Sequence, residues 1–239
     1  MPLVLRDDAD GVARLTLNRP EKLNALNPRV FAELRAHLDA IADDGGVGCV
    51  VLAGAGRSFC AGNDLAAIRA GERGPEGFEA ETIDALEALP QPTIGSLHGH
   101  CLTGGLELAL ACDLLVCGES ARIGDTHGRW GLVPVWGMSV RLPERVGRSR
   151  AKELMFTAQP VDGGRAAEIG LVDRCVADDD LDAAVTELAA HITANSWGTS
   201  RIDKALLAAE APMNRPEALA FERTLPFGRP PDAAERLGR

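Results

Sequence analysis

The sequence predicts an α/β protein with a helical C-terminal region, and three observations predict it. Short apolar segments of strand length alternate with helical patterns as far as Gly124, whereas beyond Pro143 helical periodicity prevails. The segment Cys49–Ala53 (CVVLA) is unbroken apolar sequence of strand length, as expected of a buried strand. A chain of 239 residues with 46% apolar content is long enough for one medium domain with its own core. The expected organisation is a core over 1–195 and a helical region over 196–239.

Val12–Leu17 (VARLTL) alternates as a strand does and is stopped by Asn18-Arg19-Pro20. Asn27-Pro28 opens a helix that runs to about Ala42, with Val30, Phe31, Leu34, Leu38 and Ile41 on one face. Cys49–Ala53 ends in Gly54-Ala55-Gly56, and a Gly- and charge-rich stretch at Ala70–Glu76 reads as mobile. Glu79–Leu89 is a helix closed by Pro90-Gln91-Pro92, and Thr93–Leu97 a strand. After His98–Gly105 come an apolar helix at Leu106–Cys112 and strands at Asp113–Cys117 and Ala121–Gly124. Helices follow at Ser149–Thr157, Gly164–Ile169, Leu181–Ala194, Thr199–Ala209 and Pro216–Arg223, and no internal sequence repeat is evident.

Composition narrows the function. The formal net charge is −10, without a basic cluster, which argues against nucleic-acid binding by a broad cationic face. No apolar run approaches the roughly 18 residues of a membrane span, and the start lacks a basic n-region followed by an apolar stretch. The expected location is the cytoplasm. Six cysteines without C-x-x-C pairing read as reduced core thiols. His98 and His100 have no companions with metal-ligand spacing, so no metal is expected. Gly54-Ala55-Gly56 lacks the third glycine of a dinucleotide fingerprint, and no G-K-[ST] follows a glycine loop.

Two glycine-containing turns carry the chemistry. Ser58–Leu65 (SFCAGNDL) follows the strand Cys49–Ala53, and His98–Cys112 (HGHCLTGGLELALAC) places Gly104-Gly105 at a helix start. Glycine lets backbone N–H groups approach a ligand closely, and one donor from each turn would make an oxyanion hole. Either turn alone is better explained by ordinary packing at a strand–helix junction.

Taken together, Asn18–Leu26 (NRPEKLNAL), Phe59–Leu65 (FCAGNDL) and Gly104–Asp113 (GGLELALACD) resemble the crotonase, or enoyl-CoA hydratase/isomerase, superfamily. Ala121–His127 (ARIGDTH), Gly131–Gly137 (GLVPVWG) and Glu168–Asp173 (EIGLVD) fit the same pattern in the same order. The resemblance implies a crotonase (ClpP-like) fold, a spiral of repeated β-β-α turns, with trimers or dimers of trimers as the usual assembly. It also implies oxyanion donors at the N–H groups of Asn63 and Gly104, and a substrate-lining segment of Asn63, Asp64, Leu65 and Ala66. The first catalytic glutamate of the family falls on Glu107. Lys22, Arg69 and Arg73 fall in or near segments that border the coenzyme A site in similar proteins.

The chain departs from the pattern at the second acid, where hydratases carry glutamate and this sequence has His127. Imidazole donates and accepts protons near neutral pH, so His127 either replaces that glutamate or marks altered chemistry. Asp125, two residues before it, is positioned to orient the ring. The expected activity is hydration of a trans-2-enoyl-CoA, without a cofactor, coenzyme A being part of the substrate. Double-bond isomerisation, and binding of a CoA ester with little hydratase activity, are the alternatives.

Overall fold

A computed structural model describes residues 1–238. A six-stranded sheet has the order β1 (Val4–Ala9), β2 (Val12–Leu17), β3 (Cys49–Gly54), β4 (Thr93–Leu97), β6 (Leu114–Gly118), β8 (Arg174–Val176). β1 and β2 are antiparallel and every other pairing is parallel. A second layer pairs β5 (His100–Leu102) with β7 (Arg122–Gly124), also in parallel. Parallel bridges Leu26–Asn63 and Cys60–Cys101 extend that layer.

The two layers are generated by one recurring unit. A strand of the large sheet leads to a short strand or bridge of the second layer, and then to a helix. β2, Leu26 and α1 (Pro28–Ala42) form the first turn; β3, Cys60–Asn63 and α2 (Leu65–Ala70) the second. α3 (Phe78–Glu87) intervenes, then β4, β5 and α4 (Gly104–Leu110) form the third turn. β6, β7 and α5 (His127–Trp130) form the fourth. The spiral exists without a sequence repeat, because its second-layer pieces are only one to four residues long.

Local chemistry explains the elements. Asn27 caps α1 by accepting from the Val30 N–H at 3.0 Å, Pro28 supplies the helical φ, and Val30, Phe31, Leu34, Leu38 and Ile41 are all buried. Central strands are buried on both faces. Val50 and Leu52 face the main core, while Cys49 and Val51 join Ile94 and Val116 against Val185 and Leu188 of α8 (Leu181–Thr193).

β1 is absent from the sequence expectation. It forms because Asp10 (φ 51°) and Gly11 (φ 77°) make a two-residue hairpin turn that places Ala9 opposite Val12. α6 (Met138–Thr157) begins eleven residues before the expected Ser149 and is broken at Gly147, where φ is 75° and ψ 157°. α7 (Gly163–Glu168) leads into β8. The C-terminal helices are α9 (Trp197–Glu210), α10 (Arg215–Arg223) and a short α11 (Ala233–Leu237). Arg239, the end of the expected 196–239 region, lies outside the described residues.

α9 is fastened to the core at three points. The Trp197 indole covers Gly11 and Gly48, where a methyl group would overlap it. Arg201 donates to the Asp44 and Val47 carbonyls, and Lys204 pairs with Asp113 at 2.7 Å.

Candidate active site

The residues singled out in the sequence converge because they occupy equivalent points of successive spiral turns. Asn63, Gly104 and His127 each lie where a second-layer strand gives way to a helix. Stacking the turns brings the second, third and fourth junctions together.

The Asn63 and Gly104 N–H groups are neighbours. A methyl group built on Gly104 would lie 3.4 Å from the Asn63 nitrogen, and one on Gly62 would lie 3.5 Å from the Gly104 nitrogen. Neither N–H donates to an acceptor among the described residues. Each follows a residue with left-handed φ, Gly62 at 104° and Thr103 at 53°. For a β-branched residue such as Thr103 this conformation costs about 1–3 kcal/mol. The Thr103 N–H donates to the Gly124 carbonyl at 2.9 Å, and its hydroxyl bonds Thr126, which holds the strained turn. On the other side, Leu26 donates to the Gly62 carbonyl and accepts from the Asp64 N–H, so Asn63 is fixed between two backbone bonds.

The expected ligand segment divides by task. The Asp64 carboxylate caps α2 through the Ala66 and Ala67 N–H groups and pairs with Arg19 at 2.9 Å. The Asp64 side chain is therefore committed to protein contacts. Leu65 is half-buried and Ala66 exposed. Lys22, Arg69 and Arg73 are exposed and form no ion pair among the described residues.

Glu107, on the first turns of α4, is 1% exposed. Its Oε1 accepts from the Trp136 N–H at 2.9 Å and the Met138 N–H at 3.2 Å. Its Oε2 accepts no hydrogen bond among the described residues and lies 3.7 Å from Nε2 of His127. On the other side of that ring, Nδ1 is 2.6 Å from Oδ1 of buried Asp125. Burial pushes the Glu107 pKa up; the Met138 N–H, the His127 charge and the Trp136 N–H pull it down without cancelling the rise. For His127, burial pushes the pKa down, but the hydrogen bond and charge of Asp125 and the charge of Glu107 outweigh it and leave it raised.

Two contributors, a main-chain holder and a buried arginine, are not legible in the sequence motifs, although Gly131–Gly137 marks the stretch that leads to them. The loop Trp136-Gly137-Met138 holds Glu107 through main-chain N–H groups, which no side-chain pattern announces. Buried Arg141 clamps that loop by donating to the Trp136 carbonyl at 2.8 Å, and is anchored to Asp84 and Glu87 of α3. The Trp136 ring, edge-on to Phe31 at 5.0 Å, lies over Gly104 beside the two N–H groups. A glycine at 137 ahead of a helical apolar pattern was the available signal.

Two backbone N–H groups without an acceptor among the described residues, close to a buried glutamate and a histidine, form an arrangement that can accept a polarised carbonyl oxygen. The chain belongs to the enoyl-CoA hydratase/isomerase family, whose model matches residues 7–236, and it has the crotonase fold. A putative enoyl-CoA hydratase/isomerase of Bacillus subtilis is 38% identical over 228 residues, covering 91% of this chain and 87% of that protein. An enoyl-CoA hydratase structure from Mycobacterium smegmatis superposes with a TM-score of 0.92 at 33% identity, covering 100% of this chain and 95% of that one. One from Bacillus anthracis gives 0.89 at 33% identity, covering 95% and 90%.

Proposed function

We propose that this enzyme adds water across the double bond of trans-2-enoyl-CoA thioesters, with His127 in the part of the second acid. The observation that carries the reading is the facing pair of Glu107 Oε2 and His127 Nε2. Their 3.7 Å separation is too long for a direct hydrogen bond and suits one water bonded to both. Isomerisation needs a single proton shuttle and gives no reason for two such groups to face each other.

In this mechanism the thioester oxygen accepts from the Asn63 and Gly104 N–H groups, which stabilise the enolate. Glu107 takes a proton from the water as its oxygen bonds to C3, and imidazolium His127 gives a proton to C2. Return of the proton from Glu107 to His127 resets the site. The chemistry calls for no cofactor and no metal. Lys22, Arg69 and Arg73 are the cations available to the phosphate end of coenzyme A. The Leu23 carbonyl, next to Lys22, accepts from the Ala61 N–H on the loop that leads to Asn63.

Assembly as a trimer or dimer of trimers, in the cytoplasm, belongs to the same reading. Supporting it, the stretch around α5 and α6 exposes Trp130, Val133, Val135, Val140 and Phe156. Among the described residues no helix is long and apolar enough to cross a membrane.

The test is hydration of crotonyl-CoA, followed by loss of the conjugated thioester absorbance, with Glu107→Gln as the control. Glutamine keeps the acceptor for Trp136 and Met138, so the fold and CoA-ester affinity are expected to persist while kcat falls roughly 10²-fold or more. Near-wild-type turnover in Glu107→Gln would sink the assignment. A wild type that binds the ester without hydrating it would favour a binding role.

A further inference from the structure

An imidazole in place of a carboxylic acid changes the charge of the site. A neutral acid beside ionised Glu107 leaves one net negative charge and one proton to donate. An imidazolium beside ionised Glu107 also has a proton to donate, but the net charge is zero. Asp125 removes the difference. It is buried, and its Oδ1 takes both the ring Nδ1 at 2.6 Å and the His127 main-chain N–H at 3.0 Å.

We propose that Asp125 is the positioning residue of this site: it turns Nε2 of His127 toward Glu107 and supplies the charge that makes an imidazolium equivalent to a neutral carboxylic acid there. The inference rests on the reading of His127 as the proton donor. The charged groups around the ring leave Asp125 alone in this role. α4 presents Glu107, which sits on the Nε2 side. α6, packed on α5, carries Arg141, which is turned to Asp84, Glu87 and the Trp136 carbonyl. Arg129 of α5 reaches Gln159.

A turn-forming aspartate that merely bonds its neighbour's N–H would leave the ring's ionisation alone, so ionisation is the discriminating readout. Asp125→Asn removes the charge and keeps the geometry, because the His127 main-chain N–H pins the amide oxygen toward the ring. The imidazole nitrogens of His127 are followed by NMR in the ligand-free protein, and crotonyl-CoA hydration is followed against pH. In wild type, the neutral ring carries its proton on Nδ1. In Asp125→Asn the titration of His127 and the alkaline limb of kcat both move down by about one pH unit or more. The kcat value falls roughly tenfold or more, with KM little changed.

The charge argument also fixes the order of two further variants. His127→Glu alone sets a third carboxylate against Asp125 and Glu107 and is slow; the double variant Asp125→Asn/His127→Glu restores the charge and is faster than that single variant.

An unchanged titration and pH limb in Asp125→Asn, or a double variant no faster than His127→Glu, overturns the inference while leaving the hydratase reading intact. So does a wild-type ring protonated on Nε2 when neutral, which needs no variant at all. Absent wild-type hydration, or hydration indifferent to His127→Ala, overturns the reading and the inference together.

Discussion

Replacing Gly104 with alanine puts the proposed oxyanion site to a quantitative test. The backbone there is ordinary right-handed helix, so alanine adopts it without strain and by itself would favour folding by about 0.5–1 kcal/mol. Against that, the added methyl lies 2.6 Å from Cζ3 and 3.1 Å from Cε3 of Trp136. Ordinary carbon contacts are about 3.5–4.0 Å, so the overlap is close to 1 Å. Trp136 is 9% exposed and leans on Phe31, so its ring cannot swing clear cheaply, and overpacking of about 1–3 kcal/mol is expected. The balance is a net cost of about 0–2.5 kcal/mol, a melting temperature lower by up to about 10 °C.

The kinetic effect is larger. The same methyl lies 3.4 Å from the Asn63 nitrogen, filling the space where an oxygen shared by the two N–H groups has to sit. Loss of one such donor costs roughly 10²–10³ in rate, and kcat/KM for crotonyl-CoA is expected to fall by at least that much. A Gly104→Ala enzyme with near-wild-type kcat/KM would refute the placement of the thioester oxygen.

Further outcomes follow from other contacts. Burial raises the Glu107 pKa, so its contribution to stability is present below its unfolded value and lost as pH rises through the folded one. Glu107→Gln is therefore expected to melt at or above the wild-type temperature at neutral pH and to match it in acid. A variant less stable than wild type at both would contradict this. Gly48→Ala drives a methyl into the Trp197 indole and should cost about 1–3 kcal/mol, seen as a lower melting temperature and altered tryptophan fluorescence. Unchanged melting would mean that α9 is not fastened there. Lys22→Glu is expected to raise KM for CoA esters by an amount that shrinks with added salt; a KM indifferent to both charge and salt makes Lys22 plain surface.

Much of the fold was legible because local and global signals agree. The helix at Pro28–Ala42 matches its sequence reading throughout: Asn27 caps it, Pro28 opens it, and all five apolar positions of the expected face are buried. The rest fails for identifiable reasons. β1 is mostly exposed and charge-rich, so no apolar alternation marks it; the Asp10-Gly11 dipeptide was the usable signal. The first half of α6 was masked by Pro143 and Gly147, which punctuate the sequence as a loop would. At the site, Glu107 was located by the resemblance of Gly104–Asp113 (GGLELALACD), and its apolar neighbours Leu106, Leu108 and Ala109 share its burial. The N–H groups of Trp136 and Met138 act through the main chain, where side-chain identity says nothing.

The spiral also explains how chemistry can change at one position without disturbing the rest. The two proposed oxyanion donors are main-chain groups, set by the left-handed turns at Gly62 and Thr103 and by glycine at Gly104. Swapping a side chain elsewhere leaves them in place. The acid and base of the proposed mechanism are side chains carried by the third and fourth turns, Glu107 on α4 and His127 on α5. Exchange of a carboxylic acid for imidazole at residue 127 is therefore sterically local. Electrostatically it is not, because the group is buried against Glu107 and its charge is poorly screened. A second anion has to accompany the histidine, and the same turn supplies it two residues upstream in Asp125. The motif Asp125-Thr126-His127 is then a unit, in which either end substituted alone leaves the buried site with the wrong charge.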